Sequence, residues 1–107
     1  MSNFSIYIPH IAHHFTNNFI VNQLSCYGKI YSIDILHNNS NYISAFVHFE
    51  IIWPLHNLQL EGRNLQEDII YRESNKLPIF KHKIFQNNQC DTWYILRNKS
   101  IHHFQNY

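Results

Sequence analysis

Histidine side chains can bind metal ions or act as acids and bases, and this 107-residue chain contains nine of them. The densest group is His10, His13 and His14. A tetrahedral zinc ion takes about four ligands, and histidines often share it with closely spaced cysteines. Neither Cys26 nor Cys90 belongs to a Cys-x-x-Cys pair. We therefore expect no metal site and no cofactor.

A cysteine nucleophile is the second chemistry to consider. Cys90 precedes Asp91, but a reactive thiolate needs a histidine base or an electropositive setting, and the sequence pattern identifies neither. Cys26 falls in a predicted helix, where we expect a small buried side chain. Paired carboxylates and phosphate-binding loops are also missing from the recognisable motifs. The sequence thus predicts a protein that is not an enzyme.

Aromatic side chains at two strand positions suggest binding instead. Residues 4–8 alternate, so that Tyr7 points away from the apolar face. Residues 42–49 also alternate, with Ala45, Val47 and Phe49 on one face and Tyr42, Ser44, Phe46 and His48 on the other. If these strands are neighbours, Tyr7 and Phe46 stand side by side and can stack two unpaired bases, each worth about 1–3 kcal/mol.

The elements between and after these strands follow from helical spacing and turn residues. Thr16 is a candidate N-cap for a helix that ends near Gly28. Residues 30–36 form the next predicted strand. Pro54 is a candidate first residue of a second helix, which we expect to run to about Tyr71.

The C-terminal part of the chain predicts two short strands, at residues 79–85 and 93–96. Trp93 is expected in the core. The order strand-helix-strand-strand-helix-strand predicts an α+β fold of the ferredoxin-like β-α-β-β-α-β type. Its antiparallel sheet would carry two helices on one face and an extra C-terminal strand or hairpin. Residues 1–97 would form one domain and residues 98–107 a tail.

Two motifs in residues 4–49 resemble those of the RNA-recognition-motif family. The first runs from Ile6 to Ile11 (IYIPHI) and the second from Tyr42 to Phe49 (YISAFVHF). The resemblance implies single-stranded RNA binding through aromatic residues on the open face of the sheet. Tyr42 replaces the usual basic residue and Ser44 replaces a third aromatic ring. We therefore expect weaker RNA binding than in a full member, unless Tyr42, His48 or the C-terminal lysines compensate.

Charge is divided unevenly along the chain, although the formal net charge is only +1. Residues 1–75 hold three basic and six acidic residues, a balance of −3, while residues 76–107 hold five basic and one acidic, a balance of +4. The C-terminal cations Lys81, Lys83, Arg97 and Lys99 could contact phosphates. The candidate nucleic-acid-binding residues are Tyr7, Tyr42, Ser44, Phe46, His48, Lys81, Lys83 and Arg97.

The whole chain also resembles a group of small uncharacterised proteins of giant, mimivirus-like DNA viruses. The similar segments include residues 6–9, 44–49, 64–67 and 93–96. This resemblance implies a viral protein found in the host cytoplasm or the virion. Without an apolar run of about 18 residues, we expect no membrane span and an intracellular location. The alternative to RNA binding is a protein-protein interaction module, such as a homodimer or a subunit of a viral assembly.

Overall fold

The computed structural model describes residues 4–37, 41–54, 63–86 and 88–98. They form an α+β structure with a five-stranded antiparallel sheet and two α-helices, compatible with the predicted ferredoxin-like fold. The elements are β1 (Phe4–Ala12), α1 (Asn17–Leu24), β2 (Gly28–His37), β3 (Tyr42–Ile52), α2 (Leu65–Ser74), β4 (Phe80–Gln86) and β5 (Gln89–Arg97).

The strand order across the sheet is β2-β3-β1-β5-β4. β1 and β3 are central neighbours, and Tyr7 lies directly opposite Phe46. On its other side, β1 pairs with β5, so that Tyr7 also faces Leu96. β4 forms a hairpin with β5 and occupies the outer edge. β5 therefore lies between β1 and β4 in the sheet.

One hydrophobic core lies between the helices and one face of the sheet. The alternation predicted for β1 and β3 places Ile6 and Ile8 of β1 and Ala45, Val47 and Phe49 of β3 in it. Trp93 is buried there, as expected from the sequence. The core contains Ile6, Ile8, Ala45, Val47 and Phe49 from the central strands, Ile20, Leu24, Leu65 and Ile69 from the helices, and Phe80, Ile84, Trp93 and Ile95 from the hairpin.

The first helix begins as predicted, because the Thr16 hydroxyl accepts a hydrogen bond from the Phe19 amide at 3.1 Å. Its end differs. A 3₁₀ turn, Ser25–Tyr27, follows Leu24, and Gly28 caps that turn rather than the α-helix. Gly28 is required by close packing: a Cβ there would lie 2.1 Å from the Ile51 carbonyl oxygen. Cys26 lies in this turn and is exposed, so the prediction that it is buried is wrong.

The second helix begins at Leu65, and not at Pro54 as predicted. The Asn64 side chain accepts from the Glu67 amide at 2.8 Å, and the Glu67 carboxylate accepts from the Asn64 amide at 3.0 Å. This capping box fixes the first turn. Residues 55–62, which the predicted helix included, lie outside the described residues. β3 continues to Ile52, which leaves Pro54 just after a strand.

Candidate nucleic-acid interface

The face of the sheet opposite α1 and α2 carries most of the predicted site residues, and we call it the outer face. Because side chains alternate along each strand, this face carries the residues that alternate with the apolar residues of the core. It includes Asp34 on β2, Ser44, Phe46 and His48 on β3, Ser5 and Tyr7 on β1, Tyr94 and Leu96 on β5, and Lys81 and Lys83 on β4.

Tyr7 and Phe46 form an aromatic pair at the centre of this face. Their ring centroids lie 4.8 Å apart, and the ring planes meet at 26°. Both side chains are half-buried. The pairing register of β1 and β3 sets this arrangement, because the two residues are directly opposed. A planar base can extend the stack on the side of either ring that does not face the other.

A chain of hydrogen bonds crosses three strands beside the aromatic pair. The Ser5 hydroxyl lies 2.6 Å from His48 Nδ1, and His48 Nε2 lies 2.8 Å from Asp34 Oδ2. Since a carboxylate only accepts, Nε2 carries a hydrogen, and in the neutral imidazole Nδ1 then accepts from the Ser5 hydroxyl. The residue types match a hydrolase triad, but Ser5 is only 4% exposed. These two hydrogen bonds orient the His48 ring and link side chains of β1, β3 and β2.

The alternation along β3 predicts His48 on this face, but it does not predict the partners Ser5 and Asp34. Asp34 falls on the polar side of β2, which was a usable signal. The sequence could not show that Asp34 and Ser5 come within hydrogen-bond distance of the same ring, because that depends on the pairing register of two separate strand pairs. β2 also contains register shifts next to Ile30, and these are not evident from alternation.

Ser44 and Tyr42 occupy different environments. Ser44 is fully buried, and its hydroxyl donates to the Pro9 carbonyl at 2.8 Å. This bond lies beside the register shift between Ile8 and Ile11, where β1 continues past Pro9. Tyr42 is exposed, with its ring 5.7 Å from that of His10. Ser44 therefore supports the irregular part of β1, while the Tyr42 ring is accessible.

The predicted phosphate-binding cations are divided between the two faces. Lys81 lies opposite Tyr94, and its Nζ lies 5.8 Å from the centre of that ring. Lys83 is the next residue on the same side. Arg97 of β5 lies opposite Ile6 of β1. Its side chain pairs with Glu73 of α2 at 3.2 Å, on the helix side of the sheet. Lys99 lies outside the described residues.

A second polar cluster lies on the helix side of the sheet, next to the hydrophobic core. Tyr27 donates to His82 Nδ1 at 2.7 Å, and His82 Nε2 donates to Gln23 Oε1 at 3.0 Å. Burial lowers the pKa of His82. Burial, and secondarily the charge of Cys26, raises the pKa of Tyr27 well above its usual value. The cluster joins α1, the 3₁₀ turn and β4 through neutral groups.

The histidines near the end of β1 do not form a metal centre in the described residues. His13 contacts the Asn41 carbonyl oxygen at 3.2 Å through Nδ1, and its ring lies 6.4 Å from that of His14. Across residues 4–37, 41–54, 63–86 and 88–98, no three His, Cys, Asp or Glu side chains are grouped so as to hold a metal ion.

No family model, curated protein or solved structure matches this chain. None of the helices in the described ranges combines the length and apolar character needed to cross a bilayer.

Proposed function

We propose that this chain is a non-catalytic module that binds single-stranded RNA on its outer face, with the ferredoxin-like arrangement of RNA-recognition domains. Omitting β4, the order β1-α1-β2-β3-α2-β5 and the sheet order β2-β3-β1-β5 agree with that arrangement. Both helices bury their apolar residues against the other face of the sheet. Neither helix therefore packs against the outer face.

The Tyr7–Phe46 pair is the observation that carries this proposal. Two rings on neighbouring central strands, stacked at 4.8 Å, are held in place by strand pairing before any ligand arrives. A preorganised aromatic surface loses little side-chain entropy on binding. Bases stack on such rings for about 1–3 kcal/mol each and without strong sequence preference.

Lys81 and Lys83 supply positive charge on the same face for the phosphate backbone. With two cations the electrostatic part of binding is small, and it should weaken as salt is added. Stacking is thus the main source of affinity.

Fluorescence anisotropy with a pool of labelled eight-nucleotide single-stranded RNAs, at two salt concentrations, tests this function. We expect binding at low salt. Tyr7→Ala and Phe46→Ala should each weaken it by roughly 5- to 150-fold, the equivalent of about 1–3 kcal/mol of stacking. Tyr71→Ala is the matched control, because Tyr71 is an exposed tyrosine on α2, where it packs against Arg63.

The competing function is protein-protein interaction, which exposed apolar side chains around the end of α2 favour. Ile70, Leu77 and Ile79 are all exposed there. A protein partner or a second copy of the chain could cover them. If wild-type protein binds no RNA at low salt, and light scattering shows a stable dimer, the interaction function replaces RNA binding.

A further inference from the structure

We propose that the RNA strand leaves the Tyr7–Phe46 pair over β5 and β4, where Tyr94 stacks a third base and Lys81 and Lys83 hold the phosphates. This inference rests on the proposed function and adds the direction of the strand. It also names a stacking position, Tyr94, that compensates for the ring missing at Ser44.

The register of β1 and β5 places Tyr94 within reach of the central pair. Leu96 lies directly opposite Tyr7, and Tyr94 is the next residue of β5 on the outer face. Diagonal neighbours across an antiparallel pair are roughly 7–8 Å apart, which aromatic side chains can span. Leu96 is half-buried and adds an apolar side chain to the same part of the outer face. Tyr94 itself is 43% exposed.

The lysines beside Tyr94 can bind the phosphate of a nucleotide whose base stacks on the Tyr94 ring. Lys81 is directly opposite Tyr94 on β4, and its ammonium group lies 5.8 Å from the ring centre. Lys83 follows on the same face, opposite Thr92. A ring for the base next to two ammonium groups for the phosphates is the combination used in single-strand binding surfaces.

The opposite edge of the sheet has an aromatic ring but the wrong charge. Tyr31 of β2 is 53% exposed, and its ring lies 6.0 Å from that of His48. The Asp34 side chain, which pairs with the same His48, is 66% exposed. A carboxylate at that position repels phosphates, while the lysines of β4 attract them. Charge therefore directs the strand toward β5 and β4.

The test compares two tyrosines of similar exposure on opposite edges, by anisotropy with the same pool of eight-nucleotide RNAs. Tyr94→Ala should weaken binding by roughly 5- to 150-fold, while Tyr31→Ala should change it by less than about twofold. Tyr94→Phe keeps the ring and should bind like the wild type. Tyr94→Leu keeps an apolar side chain without a ring and should lose as much as Tyr94→Ala. The Tyr94→Leu variant therefore replaces Tyr94→Ala in this test if the alanine variant fails to fold.

The outcomes separate this inference from the function on which it rests. If Tyr7→Ala weakens binding but Tyr94→Ala and Tyr94→Leu do not, the direction is wrong and the function stands. Equal losses from Tyr31→Ala and Tyr94→Ala also overturn the direction, because the strand then covers both edges. Failure of Tyr7→Ala and Phe46→Ala to affect binding overturns the function itself.

Discussion

At the scale of single residues, His82 connects the protonation of one ring to the stability of the fold. Its two hydrogen bonds, from Tyr27 to Nδ1 and from Nε2 to Gln23, both use the neutral imidazole. The aromatic rings of Tyr27 and Trp93 lie 5.5 and 5.9 Å from it. Adding a proton to Nδ1 would remove the acceptor for the Tyr27 hydroxyl and place a positive charge at a largely buried position.

The pH dependence of unfolding follows from this. Burial lowers the pKa of His82 in the folded protein below its ordinary value of 6.5. The unfolded chain therefore binds more protons than the folded chain below that pH, so His82 destabilises the fold progressively as the pH falls from 6.5 toward the folded pKa. Thermal melts across this range should show a steeper loss for the wild type than for His82→Gln. His13→Gln, at an exposed histidine, should keep the wild-type slope. Parallel profiles for wild type and His82→Gln would contradict the account.

At the scale of elements, a buried carboxylate in α2 binds two arginines, one of which also contacts the segment that leads into β4. Asp68 has a side chain only 1% exposed, and it accepts from Arg63 at 3.0 Å and from Arg72 at 2.7 Å. The same Arg72 donates to the Pro78 carbonyl at 3.0 Å, and its guanidinium lies over the Phe80 ring. These contacts join the start of the helix, its last turn and the chain that enters β4.

Replacement of Asp68 by asparagine keeps the shape and removes the charge, which leaves two guanidinium groups facing each other. Breaking a buried ion pair in this way typically costs about 3–5 kcal/mol, and we expect the lower end because both arginines are partly exposed. Urea unfolding measures the loss. The control is Glu73→Gln, which removes the more exposed pair with Arg97 and should cost less than about 1 kcal/mol. A loss at Asp68 no larger than at Glu73 would show that the buried network adds no more stability than an exposed ion pair.

The predicted elements differ in how well local residues determined them. Alternation in β1 and β3 and the Thr16 cap were sufficient to predict the front half, including the opposition of Tyr7 and Phe46. The second helix was misplaced because Pro54 is a common helix start, whereas the Asn64–Glu67 capping box was the stronger local signal. β5 is longer than predicted, because hairpin pairing with β4 extends it from Trp93 back to Gln89.

At the scale of the whole molecule, strand pairing distributes the basic residues over the two faces of the sheet. This distribution differs from their grouping along the sequence. The C-terminal third has an excess of basic residues, but the sequence could not show which of them share a face. Strand pairing puts Lys81 and Lys83 on the outer face, and it puts Arg97 beside Glu73 on the helix side. Asp34 marks the opposite, acidic edge of the outer face.

The salt dependence of RNA binding should report this separation. Each phosphate contact on a single strand contributes a slope of about −0.7 to log K against log salt, so two lysines predict about −1.4. Lys81→Ala and Lys83→Ala should each flatten the slope by about 0.7. Arg97→Ala is the matched control, a cation of the same chain segment on the other face, and it should leave the slope unchanged. If Arg97→Ala flattens the slope and the lysine changes do not, the RNA backbone lies on the helix side, and the charge argument for the outer face fails.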